Sequence, residues 1–288
     1  MMNNIGVLIL SHGRPDKVRT IKALRDSGCT GEIKIVCDDL DDTLDEYKEK
    51  FGEDVIVFDK LEALKQCDTM DNFGRVNMVL PARNKCHEIA KELGWDYFFE
   101  LDDDYQQFCI RKPVENKLKA YPITDIDTML DGMIDLLEAS NALCVCMSQA
   151  GDYIGGADGG YIYKGLARKA MNCYVCKTER PFKFLGTLNE DVNMYVTENM
   201  RGNLVLSVTN ISCVQEITQQ SSGGLTDIYL DVGTYVKSFY SVMAEPSCVT
   251  VRSMGSKDRR IHHSVRWNNC APMILNETHK KGTAIVEV

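Results

Sequence analysis

Short, unbroken apolar runs set at regular intervals constrain this chain most. Ile5–Leu10 reads IGVLIL, residues 33–37 read IKIVC, Val55–Phe58 reads VIVF, and residues 97–101 read YFFEL. A strand that alternates apolar and polar residues keeps one face wet, whereas an unbroken run is buried on both faces. Between the runs lie helical stretches. Residues 16–26 place Val18, Ile21 and Leu24 on one face, and residues 40–51 are helical but mostly charged. Cys86, Ile89, Ala90 and Leu93 follow the i, i+3, i+4, i+7 spacing, with Gly94 where a helix-ending residue belongs. The βαβαβ…αβ order calls for an α/β domain with a buried, mainly parallel sheet flanked by helices.

In such sheets ligands bind beyond the carboxyl ends of the strands. There this chain is polar: SHGRPD follows the first run, DDLDD the second and DDDY the fourth. Further on, Ile126, Met129, Leu130, Met133, Ile134 and Leu137 form a helical stripe before the apolar residues 142–147. The segment GDYIGGADGGY at 151–161 is too flexible and polar for a core element. Residues 190–201 read as a helix ended by Gly202, and residues 204–208 as a strand. With no repeat or linker, the expectation is one catalytic domain over residues 1–210, its nucleotide part about 1–104 and its acceptor part about 105–210. Residues 211–288 form a C-terminal extension packed on it.

The formal net charge of −9 excludes a protein coated in positive charge for nucleic acid. The acid excess is concentrated in the first third, while residues 250–288 are locally basic. No apolar run approaches the roughly 20 residues of a membrane span, and the start MMNNIGVLIL lacks the features of a signal peptide. Twelve scattered cysteines read as free thiols in a reducing, cytoplasmic compartment. Cys144-x-Cys146 and Cys173-x-x-Cys176 lack the pair-of-pairs pattern of a structural zinc site.

Asp102-Asp103-Asp104, with Glu100 before them, crowd carboxylates at a strand end. A hard cation taking oxygen ligands lowers the cost of that crowding, and magnesium or manganese bridging a diphosphate is the natural occupant. An acidic turn or helix cap accounts for the same residues.

SHGRPD at 11–16, VCDD at 36–39, PARNKCHEIAKELGWDYFFELDDDY at 81–105 and NEDVNMYV at 189–196 together resemble the GT-A class of nucleotide-sugar glycosyltransferases. Members of its large inverting family carry an Ala-Arg-Asn before a helix, an Ala within it, and a strand ending in Asp-x-Asp. Ala82-Arg83-Asn84, Ala90 and Asp102-x-Asp104 stand here in that order. More narrowly, GTLNEDVNMYV, TQQSSGGLTDIYLDVGTYVKSFYSVM and RIHHSVRWNN look like the TET-associated glycosyltransferases of phages and related elements, thought to glycosylate hydroxymethylated pyrimidines in DNA.

The resemblance implies a GT-A-like, Rossmann-related fold, a UDP-sugar donor and Mn2+ or Mg2+. It places Ser11, Gly13 and Arg14 by the nucleotide, near a helix N-terminus that favours negative charge. Asp38 would accept hydrogen bonds from the base, and Arg83 would approach the diphosphate or sugar. Asp102 and Asp103 would meet the donor and Asp104 the metal, with Asp102 as a further ligand. Glu190 and Asp191 open a helix; Asp191 matches the base of the inverting enzymes, and both equally suit helix capping. His262 and His263 diverge on an extended strand, so one of them would join the metal. Arg260, with Lys257, Arg259 and Arg266, would clamp the diphosphate or track a DNA backbone. Tyr229, Tyr235, Phe239, Tyr240 and Trp267 stack on bases or, by default, pack a helix on the sheet. The preferred acceptor is hydroxymethylcytosine or hydroxymethyluracil in DNA. The competing readings are a glycan, lipid or small-molecule acceptor, a sugar-phosphate nucleotidyltransferase, and a binding module without turnover.

Overall fold

The computed structural model describes residues 3–215, 228, 233, 235–255 and 259–270. Lys257, Tyr229 and residues 216–224 lie outside them. The four apolar runs form β1 (Ile5–Leu10), β2 (Ile33–Asp38), β3 (Val55–Phe58) and β4 (Tyr97–Asp102). They pair in parallel in the order β3-β2-β1-β4. Central β1 is buried at every residue, as an unbroken apolar run requires. Gly6 has a packing reason, since a Cβ there would lie 2.3 Å from the Trp95 ring.

Helices cover both faces. Ile35 and Cys37 of β2 pack with Tyr47 of α2 (Leu44–Phe51), whereas Ile33 and Val36 belong to the main core. That core includes α4 (Leu80–Glu92) and α5 (Ile126–Ser140). Helix α4 ends at Gly94, φ +71°, as its sequence implies. The α5 stripe of Ile126, Leu130, Met133, Ile134 and Leu137 is buried, and Asp125 caps the helix by accepting from Thr128 N at 3.0 Å.

Beyond β4 the sheet turns mixed. Its order continues β9 (Cys173–Lys177), β7 (Cys144–Ser148), β10 (Val205–Gln215), β5 (Tyr105–Val114) and β6 (Lys117–Pro122), with the short β8 (Leu166–Ala167) on β10. Only β7 and β10 are parallel in this half; the other pairs are antiparallel. Strand β10 runs past the expected end at 208, through an irregularity in its register with β7 between Val208 and Ser212, and reaches Gln215 opposite Tyr105. Two residues join β4 to β5 although three strands separate them in the order, so the distal half curls back over the carboxyl end of β4.

Helix α6 (Glu190–Met200) is buried at every residue but the last. Such a helix must satisfy its polar groups internally. Asn193 Nδ2 donates to the Leu185 and Leu188 carbonyls, and Asn199 Nδ2 to those of Arg168 and Tyr195. The extension adds α7 (Val236–Ala244) and an antiparallel ribbon, β11 (Val249–Met254) with β12 (Arg260–Val265). Trp267 stacks on Tyr195, centroids 5.8 Å apart, while remaining partly exposed, and Tyr240 is buried. Tyr235 and Phe239 stay exposed.

All twelve cysteines are free and all but Cys67 are buried. Cys144 and Cys146 point the same way, sulfurs 3.9 Å apart. Among the described residues no helix is long and apolar enough to cross a membrane.

Candidate active site

The carboxyl ends of β1, β2 and β4 open into a cavity of about 620 Å³. After β1, the Ser11 hydroxyl donates to Asp103 Oδ2 at 2.5 Å and lies 2.6 Å from the Tyr47 hydroxyl. Arg14 Nη2 lies 2.8 Å from Asp103 Oδ1. Ser11 and Arg14 line the cavity; Gly13 and Asp103 do not. Gly13 instead donates its amide to Asp41 Oδ2 at 2.7 Å. Asp103 sits in the middle of the turn and points back into the protein, 1% exposed. Burial, outweighing Arg14 and Ser11, raises its carboxyl to about 7. The expected helix at 16–26 is a 3-10 turn, Pro15–Lys17, followed by α1 (Arg19–Asp26). The Arg19 and Thr20 amides both donate to the Asp103 carbonyl, so this helix end is spent inside the protein rather than on a phosphate.

Asp38 ends β2 and lines the cavity. Its Oδ2 lies 2.8 Å from His12 Nδ1 and 3.1 Å from Lys60 Nζ, while Oδ1 accepts from Leu40 N at 3.2 Å. Burial alone would raise the carboxyl, but the His12 hydrogen bond and the Lys60 ammonium together hold it below its ordinary value. A carboxylate accepts about four hydrogen bonds, so one place remains for a ligand.

Arg83 is 2% exposed, so its side chain lies inside the protein rather than at the surface. Its Nη1 donates to Glu100 at 2.8 Å, Nη2 to Asp102 Oδ1 at 3.0 Å and Asn172 at 3.3 Å, and Nε to Glu190 at 2.9 Å. The Tyr174 and Phe184 rings lie 5.5 and 5.7 Å from its guanidinium carbon. Arg83 lines the cavity, and α4 aims its fork at the carboxyl end of β4 and the start of α6, where three carboxylates engage it. Glu100, in that low-dielectric setting, is raised to about 7 by burial against the pull of Arg83.

Asp102 and Asp104 both line the cavity. Gln215 Nε2 stands between them, donating to Asp102 Oδ2 at 3.4 Å and Asp104 Oδ1 at 3.1 Å. Burial and the neighbouring Asp102 charge raise Asp104 to about 6. Among the described residues no three His, Cys, Asp or Glu side chains are gathered so as to hold a metal ion by themselves.

Asp191, at the second position of α6, accepts from Val192 N at 2.7 Å. Burial, then the adjacent Glu190, raises its carboxyl to about 7. Glu190, held by Arg83, is its supporting neighbour. Asn189 takes a left-handed conformation, φ +55°, and its Nδ2 donates to the Lys237 carbonyl at 2.9 Å and lies 3.2 Å from both Ser241 Oγ and His263 Nδ1. One amide thus ties the start of α6 to α7 and β12.

Lys169, Lys237, Arg260, His262 and His263 line the facing wall. The two imidazoles do not diverge: their centroids are 4.3 Å apart, because His262 turns back to place Nδ1 2.8 Å from the His263 carbonyl. His263 is lowered to about 3 by burial, then by His262, Lys237 and Lys169. His262 is lowered by burial and the same cations with Arg260. Both imidazoles are therefore neutral at neutral pH. Burial lowers Lys237 as well. Arg259 and Arg266 are exposed and do not line the cavity.

His12, Lys60, Lys169, Asn189, Gln215 and Lys237 join this site without having been singled out in the sequence. His12 lies inside the SHGRPD turn, a local signal that was available. The lysines carry none, since long side chains reach the cavity from unremarkable helix and loop positions.

No curated protein matches the chain. Solved structures similar to it include glucosyl-3-phosphoglycerate synthase from Mycobacterium tuberculosis with Mg2+ and uridine diphosphate. That match has 14% identity and a TM-score of 0.46, covering 92% of this chain and 88% of that one. The same enzyme with Mn2+ and UDP-glucose matches at 12% identity and a TM-score of 0.47, covering 92% and 87%. The model of the TET-associated glycosyltransferases matches residues 5–224, a span that takes in the whole mixed sheet, the acidic turn and α6, and the chain belongs to this family.

Proposed function

We propose that the protein is a divalent-metal-dependent enzyme that moves a sugar from a UDP-sugar to the hydroxymethyl group of a pyrimidine in DNA, with inversion at the anomeric carbon. One observation carries this reading: an acidic pair, Asp102 and Asp104, and a cationic wall of Lys169, Lys237 and Arg260 line the same cavity as Asp191, a carboxyl raised to about 7. A diphosphate needs positive charge from both sides, and a sugar acceptor needs a base.

The donor set fits a magnesium or manganese ion. The Gln215 amide, which presents positive hydrogens to both carboxylates, occupies the electrostatic place of a cation. Magnesium is commonly held by one or two carboxylates plus substrate phosphates, which agrees with the small protein donor set. Such an ion, when bound, neutralises charge developing on the leaving diphosphate. His262 or His263, neutral as a ligand must be, is a further donor for it.

Ser11, Arg14 and the remaining acceptor place on Asp38 serve the nucleotide. Lys237 and Arg260 hold the diphosphate. The acceptor oxygen forms its bond to the anomeric carbon as that carbon's bond to the diphosphate oxygen breaks; the bonding pair leaves with the diphosphate, and the hydroxyl proton passes to Asp191. A buried carboxyl with a value near 7 is suited to take that proton. Glu190 and Arg83 hold the start of α6 in place. A DNA acceptor and free thiols agree with a cytoplasmic setting.

The test is mass spectrometry of nucleosides from DNA containing hydroxymethylcytosine or hydroxymethyluracil after incubation with manganese and a panel of UDP-sugars. A nucleoside heavier by one sugar, lost on chelation with EDTA, is expected. Release of UDP without DNA modification would move the acceptor to another class of hydroxyl compound. No UDP from any donor would overturn the glycosyl-transfer reading of this cavity.

A further inference from the structure

The three most exposed large apolar side chains among the described residues are Ile154 at 75%, Tyr163 at 68% and Phe73 at 66%. They sit on two loops that run directly into the cavity lining. One loop continues from Phe73 to the lining residues Asn77 and Met78; the other contains Ile154 itself, with Asp152 before it and Lys169 after it.

Neither loop is exposed for want of packing. Tyr153 donates its hydroxyl to the Thr209 carbonyl at 2.9 Å, the Tyr161 hydroxyl lies 2.9 Å from Ser148 Oγ, and Ala157 and Ile162 are buried beneath. At Gly159 a Cβ would lie 2.3 Å from the Ile154 carbonyl oxygen, so this glycine-rich turn is folded tightly on itself. The Phe73 loop is tied down by Gly186 N donating to the Asp68 carbonyl at 2.7 Å and Thr187 donating to Asp71 Oδ2 at 2.7 Å. Each loop is pinned from below and aromatic on top. Each loop also carries a cation: the Arg75 guanidinium carbon is 6.0 Å from the exposed Phe73 ring, and Lys164, next to Tyr163 in the chain, lies 5.5 Å from the neighbouring Tyr161 ring.

An exposed aromatic face paired with a cation is the chemistry of a nucleic-acid strand, whose bases stack on rings while its phosphates take positive charge. We propose that Phe73 and Tyr163 form a rim that docks the acceptor strand, stacking on the bases next to the modified one, with Arg75 and Lys164 meeting the phosphates. This rests on the DNA-acceptor reading and adds to it the residues that recognise the strand. A base that enters an enclosed site leaves its stacked neighbours exposed, and rigid aromatic rims replace the lost stacking. The charge of −9 is then no obstacle, since docking needs only local cations at the rim.

The experiment compares the full-length protein with Phe73→Ala, Tyr163→Ala and the double variant, measuring KM and kcat for hydroxymethylated DNA and, by calorimetry, affinity for the UDP-sugar. The expected result is a rise of roughly tenfold in KM for DNA with each alanine, donor affinity unchanged, and recovery with Tyr163→Phe, which keeps the ring. Lys164→Ala is expected to flatten the salt dependence of KM. Unchanged KM in both alanine variants, or a wild-type enzyme as efficient on the free hydroxymethyl nucleoside as on DNA, would overturn the rim. A wild-type enzyme that releases UDP yet leaves DNA unmodified would overturn the acceptor reading itself and the rim with it.

Discussion

The two walls of the cavity handle charge in opposite ways. On the wall built from β1, β2, β4 and α4, opposite charges meet inside the protein: Asp38 with Lys60, Asp103 with Arg14, and Arg83 with Glu100, Asp102 and Glu190. On the wall built from Lys169, α7 and β12, cations outnumber acids: Lys169 pairs with Asp152, and burial together with Lys169, Lys237 and Arg260 depresses the neighbouring imidazoles. The first wall is a finished scaffold that keeps its shape without ligand. The second carries more positive than negative charge, so it contributes binding energy when a diphosphate enters. Asp191 stands where the two meet.

The largest effect that would sharpen this comparison is on Asp191. Asp191→Asn is expected to lower kcat by about 10²–10⁴-fold with donor affinity retained, read by steady-state kinetics and calorimetry. In the wild type the base must be unprotonated, so activity should climb as pH rises through about 7 and level off above it, a limb the variant lacks. A pH-independent wild-type rate would remove Asp191 from the chemistry.

Next in size is the scaffold wall. Arg83→Ala leaves the buried Glu100 and Glu190 and the half-buried Asp102 without their shared cation and should cost about 3–5 kcal/mol in denaturant unfolding. A loss below about 1 kcal/mol would mean that the cluster is solvated and the wall is not preformed. The smallest effect belongs to the cationic wall. Lys237→Ala and Arg260→Ala should each weaken UDP-sugar binding about tenfold, measured by calorimetry, while changing unfolding stability by less than about 1 kcal/mol, since neither side chain belongs to the buried carboxylate cluster around Arg83. If either variant lost stability instead, the two walls would not differ in the way described.

The scaffold side was the more legible. β1 to β4 announce themselves because strands buried on both faces leave unbroken apolar runs, and α5 because its stripe holds one period across its whole length. β6 passed unnoticed since it is a largely exposed edge strand carrying Lys117 and Lys119, a composition that protects an edge and hides a strand. β5 has buried residues only at its start and middle, Tyr105, Phe108 and Cys109, so neither alternation nor an apolar run marks it. At the site, Asp102, Asp104 and Asp191 were legible as acids at element ends. The roles of Arg83 and Asp103 were not, because a long guanidinium and a turn carboxylate take their partners from segments distant in sequence.

By itself, the sequence determined the parallel core, the helix periods and the acidic turn that follows β4, because hydrophobic period and strand-end polarity are local properties of the chain. Only the tertiary structure decided that Arg83 is engaged by carboxylates and that Lys169, Lys237, Arg260 and the two histidines share a wall. The curl of β10 and β5 over the end of β4 and the docking of α7 and β12 on α6 bring those groups together. Contacts of that kind depend on how distant segments pack, for which no local pattern codes.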